Sequence, residues 1–268
     1  MKKQISILIP TYNRVHALAV LLTSLAAQNY TNFTVIISDQ SDEEITKNQT
    51  LVTAIRILGY HGNQVKIYHH LPRFGIAEQR QFLLEKSDSP FSLFLDDDLI
   101  LEPWVIGTLL STIERNPCGF VGQAVIGLSF LHDRRPQQQQ IEFWDGKIRP
   151  ESIYPGARKW KRYLLHNAAN MLHVQEKLHL TPNSPRPYKV AWIGACVLYD
   201  TQKLKEVGGF SFWKDLPREH VGEDVFVQSR LMEKYGGCGI LPSGVYHQEL
   251  PTTIKKREVN APEYFLAK

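Results

Sequence analysis

Three consecutive carboxylates, Asp96, Asp97 and Asp98, interrupt the apolar stretch "FSLFLDDDLILEPW". Side by side such charges repel, and burying one without a partner is costly. Two readings of the run are open. It is a solvated acidic loop, or it is a place where a shared divalent cation makes the acids compatible; hard oxygen ligands suit Mg²⁺ or Mn²⁺. A second acidic pair, Glu223 and Asp224 in "REHVGEDVFVQSR", opens a helical pattern. Acids at a helix start are favoured by the dipole, which alone accounts for the pair. A carboxylate there should also stay ionised, as a general base must.

The elements around these acids follow from the apolar spacing. Ile5 to Ile9, Phe33 to Ile37, Val65 to Tyr68 and Phe91 to Leu95 read as strands. Asn13 reads as a helix N-cap, followed by Val15, Leu18, Leu22 and Leu25 at helical spacing. A further helix is expected from Ile76 to Lys86, and another from Pro103 until Pro117 ends it. Strands alternating with helices imply an α/β protein with a mostly parallel sheet covered on both faces. Ligands of such sheets bind at the carboxyl ends of the strands. Polar clusters stand at those ends: "PTYNR", "SDQSDEE", "HHLPRFG" and "DDD". The pattern predicts one shared site.

Composition excludes several classes. At 268 residues, with 43% apolar and 22% charged residues, the chain is long enough for a substantial core. A net charge of +4 does not favour a general nucleic-acid-binding role. The cysteines Cys118, Cys196 and Cys238 form neither a disulfide framework nor a zinc spacing, which suits a reducing compartment. The apolar run of "MKKQISILIPTYNR" stops at Pro10, too short for a signal peptide, and no stretch reaches membrane-spanning length. A cytoplasmic protein, with a possible peripheral contact to a membrane surface, is expected. Further on, "VAWIGACVLYD" reads as a buried strand, "TQKLKEVGGF" as a short helix and "EDVFVQSRLMEKYG" as a helix closed by Gly236.

In order along the chain, "ISILIPTYNR", "VIISDQSDE", "RFGIAEQR", "FLDDD", "GGF" and "GED" resemble the family 2 glycosyltransferases of GT-A fold. The resemblance runs from about Ile5 to about His247. It implies transfer of a sugar, with inversion, from a nucleotide diphosphate sugar to an acceptor hydroxyl. It also implies two halves of one domain, residues 1–122 holding the nucleotide sugar and 123–268 the acceptor and the base. Pro10, Thr11, Tyr12 and Arg14 would line the nucleotide pocket, and Asp39 would bind the base, commonly uracil. Arg73, Gly75 and Arg80 match the next nucleotide-binding segment, although Arg73 stands where Asn is usual and Glu78-Gln79 precede Arg80. Asp98 would bind Mn²⁺ or Mg²⁺, and Asp96 would support it or contact ribose. Asp97 falls at the variable middle position and is expected to be dispensable. Asp224 would be the base, with Glu223 binding the acceptor or sharing that role. His247 reads as a structural histidine or as a further metal ligand. Trp192 and Gly194 correspond to the acceptor and donor-sugar pocket, where Trp192 stacks on a sugar or simply packs in the core.

Two other classes compete. A nucleotidyltransferase also joins an α/β sheet to acidic metal ligands, but "PTYNRVHAL" lacks a Gly-rich, Lys-bearing phosphate loop. A catalytically silent nucleotide- or sugar-binding module would not need both acidic motifs. The Q-x-x-R-W motif of processive synthases is absent, so addition of one or a few sugars to a glycan or lipid-linked acceptor is expected, in bacterial surface polysaccharide assembly. The segment from Gly146 to Arg162 holds six Lys or Arg and one Glu. It reads as a solvated excursion, or as a cover or contact for an anionic acceptor or lipid head groups.

Overall fold

The computed structural model describes residues 4–254, 257 and 259–266. In chain order the elements are β1 (Ile5–Thr11), α1 (Val15–Ala26), β2 (Phe33–Asp39), α2 (Gln49–Tyr60), β3 (Gln64–His69) and α3 (Ile76–Lys86). Next come β4 (Phe91–Leu95), β5 (Leu99–Leu101), α4 (Val105–Arg115), β6 (Phe120–Gly122), α5 (Asn170–Lys177) and β7 (Arg186–Tyr188). The chain continues through β8 (Cys196–Asp200), α6 (Thr201–Glu206), α7 (Glu223–Tyr235), β9 (Gly237–Leu241), β10 (Val245–His247) and α8 (Ala261–Leu266).

Eight strands form one sheet in the order β3-β2-β1-β4-β8-β6-β9-β7. The β3-β2-β1-β4 half is parallel, and β8 runs antiparallel between β4 and β6. Strands β1 and β2 are buried along their whole length and mostly apolar, because both faces are covered. Ile5, Ile7 and Ile9 of β1 pack into one buried cluster while Leu8 joins the other, and Val35 and Ile36 of β2 divide the same way.

The register positions the site. Thr11 and Asp39 are paired at the ends of β1 and β2, and Leu95, the last residue of β4, opposes Cys196, the first of β8. An antiparallel β8 therefore delivers the residues before Cys196 to the edge where Asp96 begins. A separate two-stranded ribbon pairs Leu99 of β5 with His247 of β10. It draws the end of the chain onto the triple aspartate.

Local differences from the sequence expectation have physical causes. Asn13 is not the cap of α1: its φ is +53° and its side chain exchanges hydrogen bonds with Asp42, so Arg14 takes the cap position without a side-chain bond. Helix α4 starts at Val105, because Pro103 and Trp104 form the turn before it. The strand read across "VAWIGACVLYD" is regular only from Cys196. Before it Ala195 has φ +67°, and the Gln228 side chain bonds both the N–H and the C=O of Ile193 in place of a strand neighbour. Helix α2 was not anticipated, although Asn48 caps it by accepting from Leu51 N–H.

Candidate active site

The carboxyl ends of β1 and β4, the start of α7 and the ribbon strand β10 converge on a cleft of about 610 Å³. Pro10, Thr11, Tyr12, Arg14, Arg80, Asp96, Asp98, Glu223, Asp224 and His247, all singled out in the sequence, line it. Arg73 borders the adjoining hollow, where its guanidinium lies 4.1 Å over the Tyr12 ring. Asp39 does not reach the cleft wall. It is buried, accepts from Ser41 N–H at 2.9 Å in a local turn, and lies 3.5 Å from His69 Nδ1.

Arg80 is the central cation. Buried on α3, it donates through Nε to Glu223 Oε1 (2.9 Å) and through Nη2 to Asp96 Oδ1 (3.0 Å). Burial works against its charge, but Glu223, Asp96 and Asp224 outweigh that cost and hold the guanidinium protonated. Arg14 plays the matching part on the other side, reaching Asp98 Oδ2 at 2.8 Å, Asp97 Oδ1 at 3.2 Å and the carbonyl of Pro251.

The three aspartates are unequal. Asp96 is the most open and pairs with Arg80. Asp97, read from the sequence as the variable middle position, is buried and accepts from Thr11 Oγ1 at 2.7 Å as well as from Arg14. Burial pushes its carboxyl up to about 6, against the Thr11 hydrogen bond and the Arg14 charge. It ties the end of β1 to the acidic loop. Asp98 is also raised by burial, with His247 and Arg14 opposing, and its Oδ2 lies 3.3 Å from His247 Nε2.

This pair bears on whether a divalent ion fits. Among the described residues no three His, Cys, Asp or Glu side chains gather closely enough to hold a metal on their own. Asp98 and His247 offer one hard oxygen and one imidazole nitrogen, and a diphosphate with water would supply the remaining ligands that Mg²⁺ or Mn²⁺ takes. The Glu249 N–H donates to His247 Nδ1 at 2.7 Å, so the neutral ring carries its proton on Nε2, aimed at Asp98. An ion bound at Nε2 replaces that proton. The donor set fits a site completed by substrate.

Asp224 stands at the first turn of α7, after Gly222, whose φ is +79°. Burial first, and then the Glu223 charge, push its carboxyl up to about 7, while Arg80 opposes them. The helix-start argument for a fully ionised acid is thus outweighed by desolvation and a neighbouring charge. A Cβ placed on Gly194 would lie 3.6 Å from Asp224 Oδ2 and 3.8 Å from Trp192, which sets both sequence-predicted pocket residues beside this carboxylate. Gln79 was passed over in the sequence, although its amide donates to the carbonyls of Ser38 (2.7 Å) and Thr11 (3.3 Å) and holds the ends of β1 and β2. Also missed were Leu250, Thr252, Ile254 and Arg257, which close the cleft from the chain's end and carry no recognisable spacing.

With this geometry in place, the model of the glycosyl transferase family 2 matches residues 6–175. The chain belongs to glycosyltransferase family 2. Curated relatives of this glycosyltransferase include an uncharacterized glycosyltransferase of Haemophilus influenzae, 34% identical over 114 residues, or 42% of this chain and 35% of the relative. Another is the Escherichia coli UDP-Glc:alpha-D-GlcNAc-diphosphoundecaprenol beta-1,3-glucosyltransferase WfgD, 24% identical over 120 residues, 44% of each chain. The matches span less than half the length of these relatives. Among solved structures, S. aureus TarS 1–349 in complex with UDP-GlcNAc superposes with TM-score 0.54 and 17% identity over 94% of this chain and 60% of that one. Mannosyltransferase PcManGT from Pyrobaculum calidifontis, in complex with GDP-Man and Mn²⁺, gives 0.53 and 14% over 89% and 57%. These likenesses show that the glycosyltransferase has the GT-A fold. Among its described residues no helix is long and apolar enough to cross a membrane.

Proposed function

We propose that the protein transfers a sugar from a nucleotide diphosphate sugar, a UDP-sugar by the likeness to WfgD and TarS, to a hydroxyl of a glycan or lipid-linked acceptor, with inversion. One observation carries this reading: Asp224 and the triple aspartate line the same cleft, Arg80 tying their neighbourhoods together through Glu223 and Asp96. The paired arginine supports a reading in which a base and a diphosphate-handling site share one cleft.

In this reading Tyr12 and Arg73 hold the base side of the donor, and Asp39 supports that end through the turn it closes. Asp98 and His247 would hold a divalent cation, as Mn²⁺ accompanies GDP-Man in the mannosyltransferase complex. Such an ion, when bound, neutralises charge on the departing diphosphate. Asp224 takes the proton of the acceptor hydroxyl as its oxygen attacks the anomeric carbon. The bond from that carbon to the phosphate oxygen breaks on the opposite face, and the nucleotide diphosphate leaves. Glu223, fixed by Arg80, holds the start of α7 and the acceptor edge. The diphosphoundecaprenol acceptor named for WfgD supports an acceptor carried at a membrane surface, reached from the cytoplasm by peripheral contact, within surface polysaccharide assembly.

Incubating the protein with UDP-, GDP- and dTDP-sugars, with and without Mn²⁺, and measuring released nucleotide tests the reading. Release from a UDP-sugar that depends on Mn²⁺ is expected; release from none of the donors overturns it.

A further inference from the structure

The large sheet ends at β7, and residues 142–144 run beside that edge. Lys189 N–H donates to the Glu142 carbonyl (2.7 Å), Trp144 N–H donates to that of Pro187 (3.0 Å), and Phe143 bridges Tyr188. The chain then passes the end of α7, where Glu151 N–H donates to the Met232 carbonyl, and folds back as a 3₁₀ stretch, Arg158–His166. Ile148, Ile153 and Leu165 are buried beneath it. The basic segment is a fixed outer layer of the fold, not a loose excursion.

Its charge is one-sided. Residues 142–162 together with 186–189 hold eight Lys or Arg against three acids, an excess of five in a chain whose whole net charge is +4. Glu151 gathers Lys159 and Arg162, both at 2.8 Å, and Glu142 gathers Arg162 (3.0 Å) and Lys189 (3.5 Å). These pairs fasten the 3₁₀ stretch to the sheet edge. Lys147, Arg149, Arg158 and Lys161 stand exposed on the same layer. Between Arg149 and Arg158 a turn is closed by Ala157 N–H on the Tyr154 carbonyl, with Gly156 at φ +89°. It presents the Tyr154 ring, 51% exposed.

A spread of long, flexible cations suits a surface of many anionic head groups, to which each charge adds a similar increment. A ring with a polar edge settles at the level of those head groups. The layer also adjoins the site: Trp160 and Tyr163, from the same 3₁₀ stretch, border space around Asp224. A bilayer is favoured over a soluble polyanion because contact here brings the proposed base toward an acceptor held in lipid. We infer that this layer is the membrane-docking face of the protein. Lys147, Arg149, Arg158 and Lys161 meet anionic phospholipid head groups, and Tyr154 sits among them. The inference deepens the reading of a lipid-linked acceptor and rests on it for its purpose.

Co-sedimentation of the protein with vesicles of phosphatidylglycerol and phosphatidylcholine, against phosphatidylcholine alone, tests it without any donor. Binding is expected only with phosphatidylglycerol, and should be lost in about 1 M salt, where charges are screened within about 3 Å. Arg158→Gln with Lys161→Gln should weaken it about 25-fold, roughly fivefold for each charge removed, and so should Lys147→Gln with Arg149→Gln. Tyr154→Ala should weaken it by a smaller factor that is the same at every salt concentration giving measurable binding. Arg56→Gln with Lys66→Gln removes as much charge from α2 and β3, at the opposite edge of the sheet, and should leave binding within about twofold of the parent. Binding to neither vesicle, equal binding to both, binding unchanged by the two double variants of the face, or tighter binding to poly-uridylate than to the anionic vesicles would each overturn the proposal. Vesicle binding without nucleotide release from any donor would overturn the transfer reading and leave the docking face standing. Nucleotide release without vesicle binding would do the reverse.

Discussion

Arg80 Nε lies 2.9 Å from Glu223 Oε1, a contact between residues 143 apart in the chain and both buried. It fastens α3 to the first turn of α7, the turn that carries Asp224. Removing one partner of a buried pair strands the other charge, at a cost of about 3–5 kcal/mol. Arg80→Leu should lower stability by that order in urea denaturation. Adding Glu223→Gln should recover part of the loss, because the two residues share one interaction. Additive losses in the double variant would show that the pair is not what holds the helix.

Asp224 makes the reaction pH-dependent. With its carboxyl near 7, transfer at low acceptor concentration should rise with a slope close to one in log rate below about pH 7 and level off above it. Stability runs the other way. The folded chain keeps a proton that the unfolded chain releases from about 3.8 upward, so stability falls as pH rises from there toward 7. Asp224→Asn should therefore abolish transfer, preserve UDP affinity and melt higher than the parent at pH 8. A variant that turns over normally would remove Asp224 from its role as base.

Gly222 is the hinge of that turn. Its φ is +79°, and a Cβ there would collide with Asn260 Oδ1 and stand 2.8 Å from Pro262. Gly222→Ala combines the left-handed penalty of roughly 1–2 kcal/mol with a collision against Asn260 and the first turn of α8. Calorimetric melting should show a loss of at least that size, and kcat should fall because the strain is relieved by moving Asp224. An unchanged melting temperature would mean that the turn relaxes without cost.

Asp98 is separable from its neighbours by metal response. In titration calorimetry of UDP, Mn²⁺ should enhance affinity in the parent chain, less so in His247→Ala and hardly at all in Asp98→Ala. The same enhancement in Asp98→Ala would assign the ion elsewhere.

Much of this was legible in the residues. The apolar runs of β1, β2 and β4 end at Thr11, Asp39 and Leu95, so the clusters after them fall along one sheet edge, and most of the cleft follows from that rule. What spacing could not carry was pairing across long separations. The burial of Asp97 depends on Thr11 and Arg14, and the meeting of Asp98 with His247 depends on two strands of three residues each. In the basic segment, too, the partners of Arg162 are not marked by spacing: Glu142 lies 20 residues upstream and Glu151 11 residues upstream. Asp39 shows the opposite case, a position fixed by the strand end while its carboxylate is turned inward to Ser41 and His69.

The β5–β10 ribbon also sets the order in which the site comes into being during synthesis. Chains emerge from the ribosome N-terminus first. Asp98 therefore appears about 150 residues ahead of its partner His247, which is paired with Leu99. A nascent chain halted before Val245 would carry both acidic clusters and all eight strands of the large sheet, yet leave β5 without its neighbour and Arg14 without Pro251. The part of the cleft lining that follows β9 therefore joins the site only after every strand of the large sheet has been made.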